Sequence, residues 1–172
     1  MATQVCRLQL KGISLGASAA LSCAHSSLTS LELGPGSSYS IDVVPLLLWH
    51  HRTLRSLSLS DVWIDDRNLV LDAMPALAKL CLKGSSIAFL DELSHTRVPL
   101  LSTIALEFSE SRLAPESLWT FARMRLEAPV STLVLSGTGR RFSDFVPAIL
   151  QWRQLVHLTL EGYPPRLGGH VR

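Results

Sequence analysis

The chain has 172 residues, of which 47% are hydrophobic, 17% are charged and 33 are leucine. This composition excludes a disordered chain, and the length is typical of a single domain. With 16 basic and 14 acidic residues the net charge is only +2, so charge gives no reason to expect a nucleic acid or an anionic membrane as partner.

A six-residue pattern with Leu, Ile or Val at its first, fourth and sixth positions recurs along the chain. We number these repeat positions one to six and call the next residue repeat position seven. The seven copies begin at residues 5, 28, 54, 77, 101, 130 and 155, with a mean spacing of 25 residues. This spacing lies within the range of leucine-rich repeats.

Each copy predicts a short strand, because alternate side chains of a strand point to opposite faces. In the third copy, Leu57 and Leu59 occupy repeat positions four and six and should point to the same face. One repeat cannot bury its apolar face alone, so the copies are expected to stack around a shared core. Residues 1–31 lack acidic residues, which is also typical of a signal or transit peptide, but they fit the repeat register.

The segments between the strands predict short helices. A proline stands one or two residues before the fourth, fifth and sixth copies, where a helix should end. The predicted helices cover residues 41–52, 65–74, 86–96, 115–126 and 142–153. Alternating strands and helices predict parallel strands joined by right-handed connections.

These elements together predict an α/β leucine-rich-repeat solenoid of about seven irregular repeats. It is right-handed, with parallel strands on the concave face and short helices on the convex face. We expect the repeat domain to cover residues 1–163 and a flexible C-terminal tail to cover residues 164–172.

Two stretches, residues 54–82 and 99–124, show a strand, a turn, a short helix and a nearby proline. They resemble the C-terminal leucine-rich repeats of fungal F-box proteins, and the resemblance extends over nearly the whole chain. It implies an intracellular module, in the cytoplasm or nucleus, that recognises the substrate of an F-box-like ubiquitin-ligase adaptor. The alternative is a stand-alone leucine-rich-repeat scaffold or regulator unrelated to ubiquitin transfer.

The chain departs from the family in two respects. It shows no F-box segment, and the repeats begin almost at Met1, so we expect substrate recognition without the docking that an F-box provides. Asn68 is the only asparagine, so the buried asparagine ladder of regular leucine-rich repeats is missing. The backbone groups at the corresponding turns must therefore find other partners.

Repeat positions three, five and seven should point to the concave face, which carries no aromatic side chain. Because binding hot spots favour Trp, Tyr and Arg, we expect a partner to use the rim loops as well. The predicted partner-binding residues are two aromatic residues just past strands three and five, and four basic residues of the concave face: Trp63, Phe108, Arg7, Lys11, Lys79 and Lys83. Packing beneath neighbouring turns and solvated surface charge are the alternative interpretations.

No catalytic, cofactor-binding or metal site is predicted. The three cysteines are odd in number and form no C-x-x-C pair, which indicates a reduced intracellular protein. His157 and Glu161 share a strand, but no nucleophile accompanies them. No apolar run approaches the roughly 18 residues that cross a bilayer. We therefore expect a non-enzymatic protein whose partner is another protein, rather than a nucleic acid, a membrane or a small-molecule substrate.

Overall fold

The computed structural model describes residues 6–10, 27–34, 43–62, 71, 73–93, 96–108, 128–137, 152 and 154–162. Seven strands lie within these residues, and each begins at repeat position three of one copy of the pattern. The strands are β1 (Arg7–Leu10), β2 (Ser30–Leu33), β3 (Ser56–Ser60), β4 (Lys79–Lys83), β5 (Thr103–Phe108), β6 (Thr132–Gly137) and β7 (His157–Gly162). The seven predicted strands are thereby confirmed.

The seven strands form one parallel sheet in chain order. Neighbouring strands pair residues of the same repeat position, so that Leu57 lies opposite Leu80 and Leu80 opposite Ile104. A parallel neighbour that follows directly in the chain requires a complete coil between the two strands. The stacked coils make a solenoid, as the repeat predicts.

One core runs beneath the sheet. The leucines at repeat positions one, four and six of the third copy, Leu54, Leu57 and Leu59, are fully buried. Leu57, Leu80 and Ile104 belong to the same cluster of buried side chains. Burying one such side chain stabilises the fold by about 1.5–3 kcal/mol, so the stacked aliphatic rows are the main source of stability.

The helices among the described residues are few and short. Helix α1 (Val43–His50) confirms the helix predicted over residues 41–52. The helix predicted over residues 86–96 is observed as a 3₁₀ helix (Gly84–Ala88) followed by a single α-helical turn, α2 (Phe89–Glu92). The observed helix is shorter than the predicted one, and its first part is more tightly wound. The helix predicted over residues 115–126, and most of those over 65–74 and 142–153, lie outside the described residues.

Proline turns lead into two of the strands. The Leu77 N–H donates to the Met74 carbonyl at 3.2 Å, and the Leu101 N–H donates to the Val98 carbonyl at 3.1 Å. Pro75 and Pro99 therefore stand second in four-residue turns, where a fixed φ near −65° fits. Each turn leads into the next strand, β4 or β5, and the end of a helix before each proline stays a prediction.

A regular backbone ladder joins successive coils at repeat position two. The Arg55 carbonyl accepts hydrogen bonds from the N–H groups of Ala78 and Lys79, at 2.9 and 3.0 Å, and the Ala78 carbonyl does the same for the next coil. The arrangement recurs from Cys6 to Ser131. Each coil is thus fixed to the next immediately before the sheet begins.

Hydroxyl groups supply the inter-coil bonds for which regular leucine-rich repeats use asparagine. The buried Ser86 hydroxyl accepts from the Val62 N–H at 2.8 Å and donates to the Val62 carbonyl at 3.1 Å. The buried Thr96 hydroxyl donates to the Leu71 carbonyl at 2.8 Å. The expectation that the turn backbone finds other partners is confirmed at Val62.

Candidate functional site on the polar face of the sheet

The sheet face opposite the core, which we call the polar face, carries repeat positions three, five and seven. The strand register aligns these residues into rows, with neighbours in a row about 4.8 Å apart and adjacent rows about 7 Å apart. The row at repeat position five is Gln9, Glu32, Ser58, Cys81, Ala105, Val134 and Thr159.

Three consecutive members of this row are small and apolar. Cys81, Ala105 and Val134 lie side by side on β4, β5 and β6 and are half-buried. We call these three residues the apolar strip. The rows on either side are polar: Lys79, Thr103 and Thr132 flank it at repeat position three, and Lys83, Glu107 and Ser136 flank it at repeat position seven.

Two ion pairs lie on the polar face. Arg7 on β1 contacts Glu32 on β2 at 3.3 Å, and Lys83 on β4 contacts Glu107 on β5. The hydrogen bond that Lys83 donates to the Glu107 carboxylate holds the pKa of Lys83 above its ordinary value of 10.5. Lys79 is exposed and has no ion-pair partner among the described residues. Its ammonium group is therefore available to an acidic group beside the apolar strip.

The predicted basic residues do not form one patch. Arg7 and Lys79 lie in the same row but three strand spacings apart, about 14 Å. Lys79 and Lys83 are both on β4, at opposite sides of the apolar strip. Lys11 lies outside the described residues. The basic residues beside the apolar strip are therefore Lys79 and Lys83 of β4, and Lys83 forms an ion pair with Glu107.

Of the two aromatic candidates, Phe108 is described and Trp63 lies outside the described residues. The sequence places Phe108 just past the fifth strand, but in the structure Phe108 is the last residue of β5. Its side chain is half-buried and packs against the core. Opposite it, Gly137 has φ +143°, and a Cβ there would meet the Phe108 carbonyl oxygen at 2.3 Å. This packing favours a structural role, and partner binding by Phe108 stays a prediction.

His157 and Glu161 do not form a close pair in the structure. His157 and Glu161 are four residues apart on β7, a separation of about 13 Å that rules out a hydrogen-bonded dyad within one chain. In the part of the chain that the structure describes, no group of three His, Cys, Asp or Glu residues could hold a metal ion. None of the helices described there has the length and apolar character needed to cross a membrane.

Sequence reasoning missed the apolar strip because it weighed charged and aromatic residues. Cys81, Ala105 and Val134 are ordinary residues when each is considered alone. The signal that could have found them is their shared repeat position in three consecutive copies, where the other copies carry Gln, Glu, Ser or Thr. Only alignment by repeat position shows that they are neighbours.

Comparison of the chain with family models, with curated proteins and with solved structures finds no match.

Proposed function

We propose that this chain is a leucine-rich-repeat module that binds another protein through its polar face, with the apolar strip at the centre of the contact. The supporting observation is the strip itself: three half-buried apolar side chains in the middle of the sheet, with polar rows on both sides. Protein interfaces have the same organisation, an apolar centre surrounded by a polar rim.

The chemistry around the strip describes the partner. A small apolar side chain suits the shallow surface over Ala105, and an acidic group beside it suits the exposed ammonium of Lys79. The polar face alone is small, because seven strands span ~34 Å and three residues span ~10 Å, which gives ~340 Å². A standard interface buries about 800 Å² on each partner. The partner therefore extends beyond the sheet, and Trp63 and Phe108 remain the rim candidates.

The finer proposal is that this module recognises the substrate of an F-box-like ubiquitin-ligase adaptor. Its support is the resemblance of residues 54–82 and 99–124 to the repeats of fungal F-box proteins. The second candidate is a stand-alone scaffold or regulator, and the two share the same binding face. Both candidate functions share the same finer fold proposal, a right-handed solenoid with helices on its convex side.

The test places a lysine at the centre of the strip and, as a matched control, at the same repeat position on β1. Ala105→Lys should reduce the capture of specific partners from cell extract by about tenfold or more, because it replaces the apolar centre with a charge. Gln9→Lys should retain them. Circular dichroism should show that both variants are folded.

Equal capture by the two variants would contradict the proposed binding face. The identity of the captured proteins then separates the two candidates. Ubiquitin-ligase subunits that are lost with Ala105→Lys support the adaptor proposal, and partners without any ligase subunit support the stand-alone scaffold.

A further inference from the structure

Within the described part of the chain, strand β7 is an open and apolar edge of the sheet. All six of its residues are exposed. Leu158 and Leu160 occupy repeat positions four and six, yet 43% and 54% of their surface is accessible, whereas Leu57 and Leu59 at the same positions of β3 are fully buried. At the opposite edge, Leu8 and Leu10 of β1 are partly buried and pack against the core. The apolar exposure is therefore concentrated at β7.

The backbone of β7 also has groups that face away from the sheet. The His157 N–H donates to the Ser131 carbonyl beside β6 at 2.9 Å. Because backbone groups alternate in direction along a strand, Thr159 and Glu161 share this orientation, and the N–H and C=O groups of Leu158 and Leu160 point towards the open edge. Such an edge is a template for pairing with another strand.

We propose that a second copy of this chain covers this edge, with the two β7 strands antiparallel about a two-fold axis at Thr159. Leu158 then lies opposite Leu160 of the partner subunit, and Leu160 opposite Leu158 of the partner subunit. All four residues have their backbone groups turned to the interface, so each pair exchanges two hydrogen bonds. The half-exposed leucines meet on the core side. This inference goes beyond the proposed function and does not depend on it.

The polar face of β7 is complementary to itself in this register. His157 lies opposite Glu161 of the partner subunit, and the symmetry repeats this pair at the other end of the strand. Thr159 lies opposite Thr159 of the partner subunit. These are the non-hydrogen-bonded positions of an antiparallel pair, where side chains approach most closely and imidazole–carboxylate and Thr–Thr pairs are favourable.

A head-to-tail arrangement, in which β7 continues onto β1 of the next copy, is less favourable. It places His157 beside Arg7 of the partner subunit, so that two basic side chains meet. It also leaves the outer β7 open and produces an open-ended chain of copies, whereas a two-fold contact closes after two.

The antiparallel dimer joins two polar faces into one surface, because the axis is perpendicular to the sheet.

The first test is a symmetric disulfide. In the antiparallel dimer, position 159 faces itself across a separation that a disulfide can span. Under mild oxidation, T159C should give a covalent dimer of twice the 18.9 kDa chain mass. T132C, one strand inside the edge, should not exceed the background from the chain's own cysteines, which both variants share. Equal cross-linking of the two variants would overturn the proposal.

The second test exchanges charges on the polar face, away from the core. Sedimentation velocity should show a dimer for the unaltered chain. H157E should weaken the dimer by about tenfold, because it places two pairs of carboxylates opposite each other, and E161K should weaken it because it removes both imidazole–carboxylate contacts. The double variant H157E/E161K should restore it, since the carboxylate and the ammonium group have only exchanged places.

The alternatives give different results. A monomer at all concentrations overturns the proposal. Head-to-tail association overturns the two-fold geometry and is recognised by three signs: larger oligomers that grow with concentration, stronger association in H157E, and no rescue by the double variant. Strengthening in H157E follows from the position of Arg7 in that arrangement.

Discussion

Strands β4 and β7 carry the same repeat pattern, but their environments differ. Leu80 and Leu82 of β4 are fully buried, whereas Leu158 and Leu160 at the same positions of β7 are 43% and 54% exposed. Both strands have the same parallel register with their preceding neighbour. The difference is that, among the described residues, β4 has a strand on each side and β7 has a strand on one side. The repeat pattern thus determines which way a side chain points, and the neighbouring coils determine how much that side chain contributes to the free energy of unfolding.

The comparison predicts unequal costs for the same substitution. Leu80→Ala should lower the free energy of unfolding by about 2–5 kcal/mol, because it removes buried methyl groups and leaves a cavity between two coils. Leu158→Ala should cost less than about 1.5 kcal/mol, since water already reaches that side chain. Urea unfolding at low protein concentration measures both without contribution from dimers. Equal losses would show that β7 is as well covered as β4.

The same distinction explains what the sequence could predict. The start of every strand, the parallel order and the shared core follow from repeat positions four and six, because these positions report side-chain direction. The exposure of Leu158 does not follow, since LVHLTL and LAKLCL are equivalent as patterns. The apolar strip was missed because it exists only across strands. The 3₁₀ start at Gly84, with φ +58°, depends on the turn after β4 and not on hydrophobic spacing.

Buried hydroxyls extend the comparison to polar groups. Ser86→Ala should lower the free energy of unfolding by about 1–3 kcal/mol, because the N–H and carbonyl of Val62 both lose their buried partner. Ser60→Ala, on the polar face, is the matched control and should change stability by no more than about 0.5 kcal/mol. Chemical denaturation of both variants checks the difference. A neutral Ser86→Ala would mean that the Val62 backbone is satisfied without the hydroxyl.

The smallest expected effect concerns the exposed ion pair beside the apolar strip. Both side chains are about half exposed, 42% for Lys83 and 50% for Glu107, so Glu107→Gln should cost less than about 1 kcal/mol. The pKa of Lys83 is raised above 10.5 in the folded chain, so the contribution of the pair is present below that value and is lost as the pH rises through the raised pKa.

Denaturation of the wild type and Glu107→Gln should therefore differ at about pH 8 and converge as the pH rises through the raised pKa of Lys83. Lys79→Gln, which removes a cation that has no ion-pair partner among the described residues, serves as the control. A difference for Glu107→Gln that grows with pH would contradict the assignment of the pair.

At repeat position two, one carbonyl accepts two hydrogen bonds from the next coil, and this arrangement affects how the chain tolerates changes in length. It fixes the advance from one coil to the next at a point just before each strand, while the copies themselves are separated by 23 to 29 residues. Insertions and deletions between repeat position seven and the next copy leave the register of the strands unchanged, provided that they avoid buried contacts such as that between Ser86 and Val62. A single residue added between Arg55 and Leu59 would instead turn every later side chain of that strand to the opposite face. Engineered loops or tags should therefore be placed between repeat position seven and the next copy, and the segments from repeat position one to seven must keep their length.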